Sequence, residues 1–105
     1  MDSPDPGVGP FAALLGIRRL AMRDGRARFE LPIGAQHLNP HGAVHGGAVY
    51  ALVDYAMGGA VTSGLGPGEQ CATLEIKINY LAAAGAGPLF AEAKVAERKN
   101  LIHTK

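Results

Sequence analysis

Cysteine is all but missing from the chain. Cys71 stands alone among 105 residues, which excludes an internal disulfide framework and any cysteine-rich zinc site. That usage fits a reducing compartment, and a cytoplasmic location is the expectation. No apolar run approaches the roughly 18 residues of a membrane span. Nor does one sign of charge dominate: ten Lys and Arg stand against nine Asp and Glu, for a net charge of +1. This balance argues against nucleic acid or an anionic membrane as a partner, while leaving room for a local site for a phosphorylated ligand. The opening MDSPDPGVGP lacks the charge and apolar core of a signal peptide and the basic, amphipathic character of a transit peptide. Residues 1–9 therefore read as a flexible lead, and residues 10–105 as a single domain.

What is present is globular. Hydrophobic residues make up 48% and charged residues 18%, enough for one small core. Residues 10–16 (PFAALLG) predict a helical turn ending at glycine. A strand is expected over residues 17–22 and another over residues 26–31, joined by the hairpin pair Asp24-Gly25. In the second strand Ala27, Phe29 and Leu31 share one face, and Arg26, Arg28 and Glu30 the other. A loop follows over residues 32–42. Residues 46–62 (GGAVYALVDYAMGGAVT) are apolar on nearly every side and free of proline, which predicts a buried helix.

GLGPGE, residues 64–69, breaks that helix. From Cys71 to Leu81, Ala72, Leu74, Ile76, Ile78 and Tyr80 alternate with Thr73, Glu75, Lys77 and Asn79, the pattern of a half-buried antiparallel strand. Residues 82–88 turn the chain, residues 89–98 form another alternating strand, and a further strand starts at Leu101. An antiparallel sheet wrapped around one central helix is the natural way to bury that helix.

Chemistry concentrates in residues 39–54, NPHGAVHGGAVYALVD. A turn-rich loop delivers His45, Gly46-Gly47 opens the helix, and Asp54 is that helix's only charge. A helix start carries N–H groups without internal partners and a positive dipole end, so it can hold an anion or a developing oxyanion. The plainer alternative is that the glycines only permit tight packing. Asp54 is a poor helix-interior residue among Leu52, Val53, Tyr55, Ala56 and Met57, and a buried carboxylate there points to function. The alternative is a carboxylate turned to solvent or capping another element.

Asp54 lies nine residues beyond His45, roughly 13 Å and half a turn along a helix. One helix cannot aim both its first amides and Asp54 at one atom. If both serve one reaction they come from different chains, which predicts a two-fold interface with paired composite sites. His37, His41 and His45 recur every four residues, but Pro40 and Gly42 interrupt any helix that would align them for metal. No metal site is expected. Neither a nucleophilic serine motif nor a reactive-cysteine setting is present.

These residues resemble the hotdog-fold thioesterase superfamily. They are most similar to the branch of phenylacetate-degradation (PaaI-like) and 4-hydroxybenzoyl-CoA thioesterases. The matching core is an Asn, a Gly, HGG and Leu-x-Asp, here Asn39, Gly42, His45-Gly46-Gly47 and Leu52-Val53-Asp54. Residues 73–95 resemble the family's strand, turn and next strand. The resemblance implies an α+β hotdog fold and hydrolysis of an acyl-CoA or aryl-CoA thioester by a homodimer or homotetramer, without a cofactor. It implies that Asp54 attacks the thioester carbonyl or activates water. The backbone N–H of Gly46 or Gly47 from the other subunit would polarise the carbonyl, while His45 and Asn39 orient substrate or water. Thr73 matches a hydroxyl position that helps place water, and Arg98 and Lys99 fall where CoA would be contacted.

Two departures stand beside the likeness. The family has a glycine where Arg98 stands. It also continues through one or two strands past the position of Lys105, so a sheet short of its C-terminal strands is implied. Two other readings stay open: a module that binds acyl-CoA without cleaving it, and an inactive truncated product.

Overall fold

Both residues of the Asp24-Gly25 pair take positive φ, 52° and 85°, as a two-residue type I′ hairpin requires. In the computed structural model, which describes residues 7–80 and 87–100, this turn joins β1 (Arg18–Arg23) to β2 (Arg26–Leu31). Ahead of them the short helix α1 (Gly9–Leu15) closes on Gly16, whose left-handed backbone lets its N–H cap the carbonyls of Ala12 and Ala13. After β2 come a 3-10 turn (Ala35–His37), α2 (Gly46–Gly64), β3 (Glu69–Tyr80) and β4 (Leu89–Asn100). These limits follow the expected ones closely, and the 3-10 turn is an addition within the expected loop. Most of the turn predicted over residues 82–88 and the strand from Leu101 lie outside the described residues.

The four strands form one antiparallel sheet in the order β1-β2-β4-β3. α2 crosses one face of it. Its buried residues, Ala48, Leu52, Ala56, Gly59 and Ala60, recur at three- and four-residue spacing and make a single stripe. Opposite that stripe lie Ala27, Phe29 and Leu31 of β2 and Leu89, Ala91, Ala93 and Val95 of β4, all buried. Small residues let helix and sheet approach closely: a Cβ on Gly59 would stand 2.9 Å from Ala27 Cβ and 3.0 Å from Phe29 Cε1. Leu31 and Leu52 are the largest fully buried side chains, each contributing about 1.5–3 kcal/mol by leaving water.

On the opposite face of β2 the predicted charges appear. Arg28 Nε lies 3.2 Å from Glu92 Oε1 on β4, close enough for an ion pair though not aligned for a hydrogen bond. The Arg28 guanidinium also sits 4.4 Å from the centroid of the Phe90 ring.

The hairpin turn is seated against the far end of α2. Gly25 N–H donates to Ser63 Oγ at 3.1 Å, Val95 N–H donates to the Gly25 carbonyl at 2.8 Å, and a Cβ on Gly64 would collide with Gly25 backbone.

Two expectations change. α2 is buried on one face only: Tyr50 is 73% exposed, and Asp54 and Gly58 share that open face. β3 shows its apolar row on the α2 side of the sheet, yet Ile76 and Ile78 are 38% and 37% exposed. The reason is the same in both cases. One helix can cover β2 and β4, but among the described residues nothing covers its own back, and the apolar row of β3 is covered only in part.

Candidate active site

The segment leading into α2 is a closed hairpin of its own. Leu38 and Val44 form an antiparallel bridge, and Asn39 N–H donates to the Ala43 carbonyl at 2.7 Å. Asn39 Oδ1 accepts from His41 N–H at 2.9 Å and from Ala43 N–H at 3.1 Å. Asparagine suits this place because its short amide can mimic a backbone turn. With its oxygen so engaged, Asn39 has only its Nδ2 donors left to offer a substrate.

His45 is the N-cap of α2, in extended backbone geometry. Its carbonyl accepts from Ala48 N–H and Val49 N–H, and its Nδ1 accepts from Gly47 N–H at 2.7 Å. A neutral ring accepting at Nδ1 carries its proton on Nε2, so His45 presents an outward donor. Of the first amides of the helix, Gly47, Ala48 and Val49 are thus occupied. Gly46 N–H has no acceptor among the described residues, and a Cβ there would meet nothing within 4 Å. The two glycines, equivalent in the sequence, differ in the structure: Gly46 keeps a free donor and Gly47 does not.

Asp54 is exposed, which corrects the expectation of a carboxylate buried within its own chain. It stands two residues from Leu52, about 200° round the helix, and Leu52 faces the sheet. No ion pair or hydrogen bond to Asp54 is found among the described residues. Its neighbours on the open face are Tyr50 and Gly58, one turn to either side. Gly46 lies eight residues away on the same helix, about 12 Å along the axis, so a single chain does not bring the free amide to the carboxylate.

Thr73 Oγ1 donates to Glu97 Oε1 at 3.0 Å on the exposed β3–β4 ladder. Arg98 is partly committed to structure: its Nε donates to the Gly64 carbonyl at 2.7 Å, capping the C-terminal end of α2 where a cation is favoured. Lys99 is exposed. The three spaced histidines are not gathered together: among the described residues no three His, Cys, Asp or Glu cluster as an ion would require. His37, singled out only for that spacing, is instead 2% exposed with both ring nitrogens bonded. Nothing in the sequence distinguished it from His41, since both fall in the same polar loop.

Comparison with known proteins identifies the family. The family model for the thioesterase superfamily matches residues 41–103, and the chain belongs to that family, with its hotdog fold. Among curated relatives, a candidate esterase of Archaeoglobus fulgidus is 38% identical over 82 residues, covering 77% of this chain and 51% of its own length. A 1,4-dihydroxy-2-naphthoyl-CoA hydrolase of Listeria monocytogenes is 30% identical over 80 residues, covering 76% of this chain and 65% of its own. The chain spans between about half and two-thirds of these curated relatives. Among solved structures, the conserved protein PA5202 of Pseudomonas aeruginosa superposes with a TM-score of 0.67 at 37% identity, over 86% of this chain and 72% of that one. The Escherichia coli PaaI protein shares the fold, with a TM-score of 0.52 at 21% identity over 83% and 84% of the two chains.

Proposed function

We propose that the protein hydrolyses a CoA thioester, acyl or aryl, to a free acid and CoA, at sites shared between two copies of the chain. Asp54 takes a proton from water, whose oxygen then adds to the thioester carbonyl, or its carboxylate adds to that carbonyl directly and water later cleaves the anhydride. Either way the C–S bond breaks, and CoA leaves as a thiolate that takes up a proton. The partner copy supplies Gly46 N–H and His45 Nε2–H, two donors aimed outward from the helix start, to hold the developing oxyanion. Asn39 Nδ2 and Thr73 orient substrate or water, and Lys99 with the outer nitrogens of Arg98 meets the phosphates of CoA. A thioester carbonyl is electrophilic enough that this chemistry calls for no cofactor.

The observation that carries this reading is the pairing of two groups left without partners among the described residues of one chain. One is a carboxylate on the open, largely apolar back of α2; the other is the Gly46 amide at its tip, which has no acceptor among those residues. Too far apart to meet within one helix, they are brought together when two helices pack antiparallel about a two-fold axis. Family membership supports the reaction class, and the substrate named for the Listeria relative supports CoA as the carrier.

Thiol release from a panel of short, long, branched and aromatic acyl-CoAs tests the proposal. Asp54→Asn is expected to lower kcat by about 10²–10⁴-fold. Because the residue is exposed, the melting temperature should hardly move. Retention of most of the wild-type kcat would remove Asp54 from the reaction. Mixing Asp54→Asn with a Gly46→Pro variant, which lacks the amide proton, should regain part of the activity in heterodimers; no recovery would sink the shared site.

A further inference from the structure

One titratable side chain outside this machinery is almost wholly enclosed and completely engaged. His37 Nδ1 accepts from Gly34 N–H at 2.9 Å, and its Nε2 lies 2.6 Å from the Leu15 carbonyl. With Nδ1 accepting, the ring proton is on Nε2 and is donated to Leu15. That carbonyl is at the last residue of α1, 22 residues away in the chain. The backbone of His37 faces the other way: its own carbonyl accepts from His45 N–H at 2.7 Å. A single buried residue thus ties the end of α1 to the N-cap of α2.

The order of bonds gives the side chain a consequence at the helix tip. The imidazole fixes where the His37 carbonyl sits, and that carbonyl fixes the backbone of His45. The His45 ring then takes up Gly47 N–H, which leaves Gly46 N–H as the amide of the first turn without an acceptor among the described residues. An apolar side chain of equal size would fill the same space but hold neither Gly34 nor Leu15. We propose that His37 is a positioning residue for the oxyanion donors: it touches no substrate, and it sets the aim of Gly46 N–H and His45 Nε2–H through the His45 backbone. The inference rests on the hydrolase reading for its effect on rate, and on the bond network alone for its effect on the helix tip.

The test uses His37→Leu, which removes both side-chain bonds, and His37→Gln, whose amide nitrogen can still reach the Leu15 carbonyl. Rates are normalised to the folded fraction. His37→Leu is expected to lower kcat by about 10–100-fold, the scale of a misplacement near 1 Å, with KM within about threefold. His37→Gln should recover kcat to within about fivefold. With a thioester bound to Asp54→Asn protein, the carbonyl stretch should move to higher frequency when His37→Leu is added, because the bond is less polarised. In the free protein, amide exchange at His45 and the Gly46 resonance should change while β2 and β4 stay as they were. The proposal is overturned if carbonyl frequency and normalised kcat are unchanged, or if Gln behaves as Leu and the loss follows only the folded fraction. Should Asp54→Asn leave turnover intact, the hydrolase reading fails by itself, and the amide measurement still decides. Unaltered exchange at His45 and an unmoved Gly46 in both variants would then dismiss His37 as a positioning residue.

Discussion

β3 and β4 are each twelve residues long and lie side by side in one sheet, but they live in different surroundings. Leu74, Ile76 and Ile78 pair in register with Val95, Ala93 and Ala91. The β4 members of those pairs are 5%, 3% and 0% exposed, against 38% and 37% for Ile76 and Ile78. Two strands with the same alternation thus have opposite degrees of cover. The pattern states that one face needs to leave water; it does not state which chain provides the cover. α2 provides it for β4. For Ile76 and Ile78 of β3 the need is unmet among the described residues, as it is for the back of α2.

Graded truncations sharpen this contrast. Leu89→Ala on β4, at a 2% exposed position, should cost about 2–5 kcal/mol in urea denaturation. Leu74→Ala, half-buried on β3, should cost less, about 1–2 kcal/mol. Ile78→Ala should cost below about 1 kcal/mol at the lowest protein concentrations and more as concentration rises, because association would bury that row. A cost for Ile78→Ala that matches Leu89→Ala and ignores concentration would erase the distinction between the strands.

Much of the fold was legible because local chemistry decides it. Asp24-Gly25 can turn only one way, Gly16 stops α1, and Ala27, Phe29 and Leu31 bury together as their spacing predicts. The break after α2 likewise follows from its glycines and proline. Long-range choices were not legible. That β4 inserts between β2 and β3 depends on pairings such as Arg26 with Lys94 and Leu31 with Leu89, far apart in the chain, which no local period encodes. Within the candidate site, His45, Gly46 and Gly47 were found from their order at a helix start, but the sequence could not tell which glycine keeps a free N–H. That depends on the His45 ring folding back onto Gly47. The exposure of Asp54 was missed because a greasy helix suggests cover on all sides, and the cover present comes from one side. His37 was noticed only for its spacing, because its importance lies in what its ring reaches, the end of α1, and that contact exists only in three dimensions.

The contact between Gly25 and Gly64 bears on something at the other extreme of the molecule. α2 is 19 residues long, a rod of about 28 Å, and its base abuts the hairpin with no clearance for even a methyl group. A side chain at Gly64 would pry the foot of the rod away from the hairpin, because a helical Cβ projects sideways from the axis. A stiff rod tilted at its foot swings at its other end, so two residues with no chemistry of their own keep level the helix that presents the Gly46 amide.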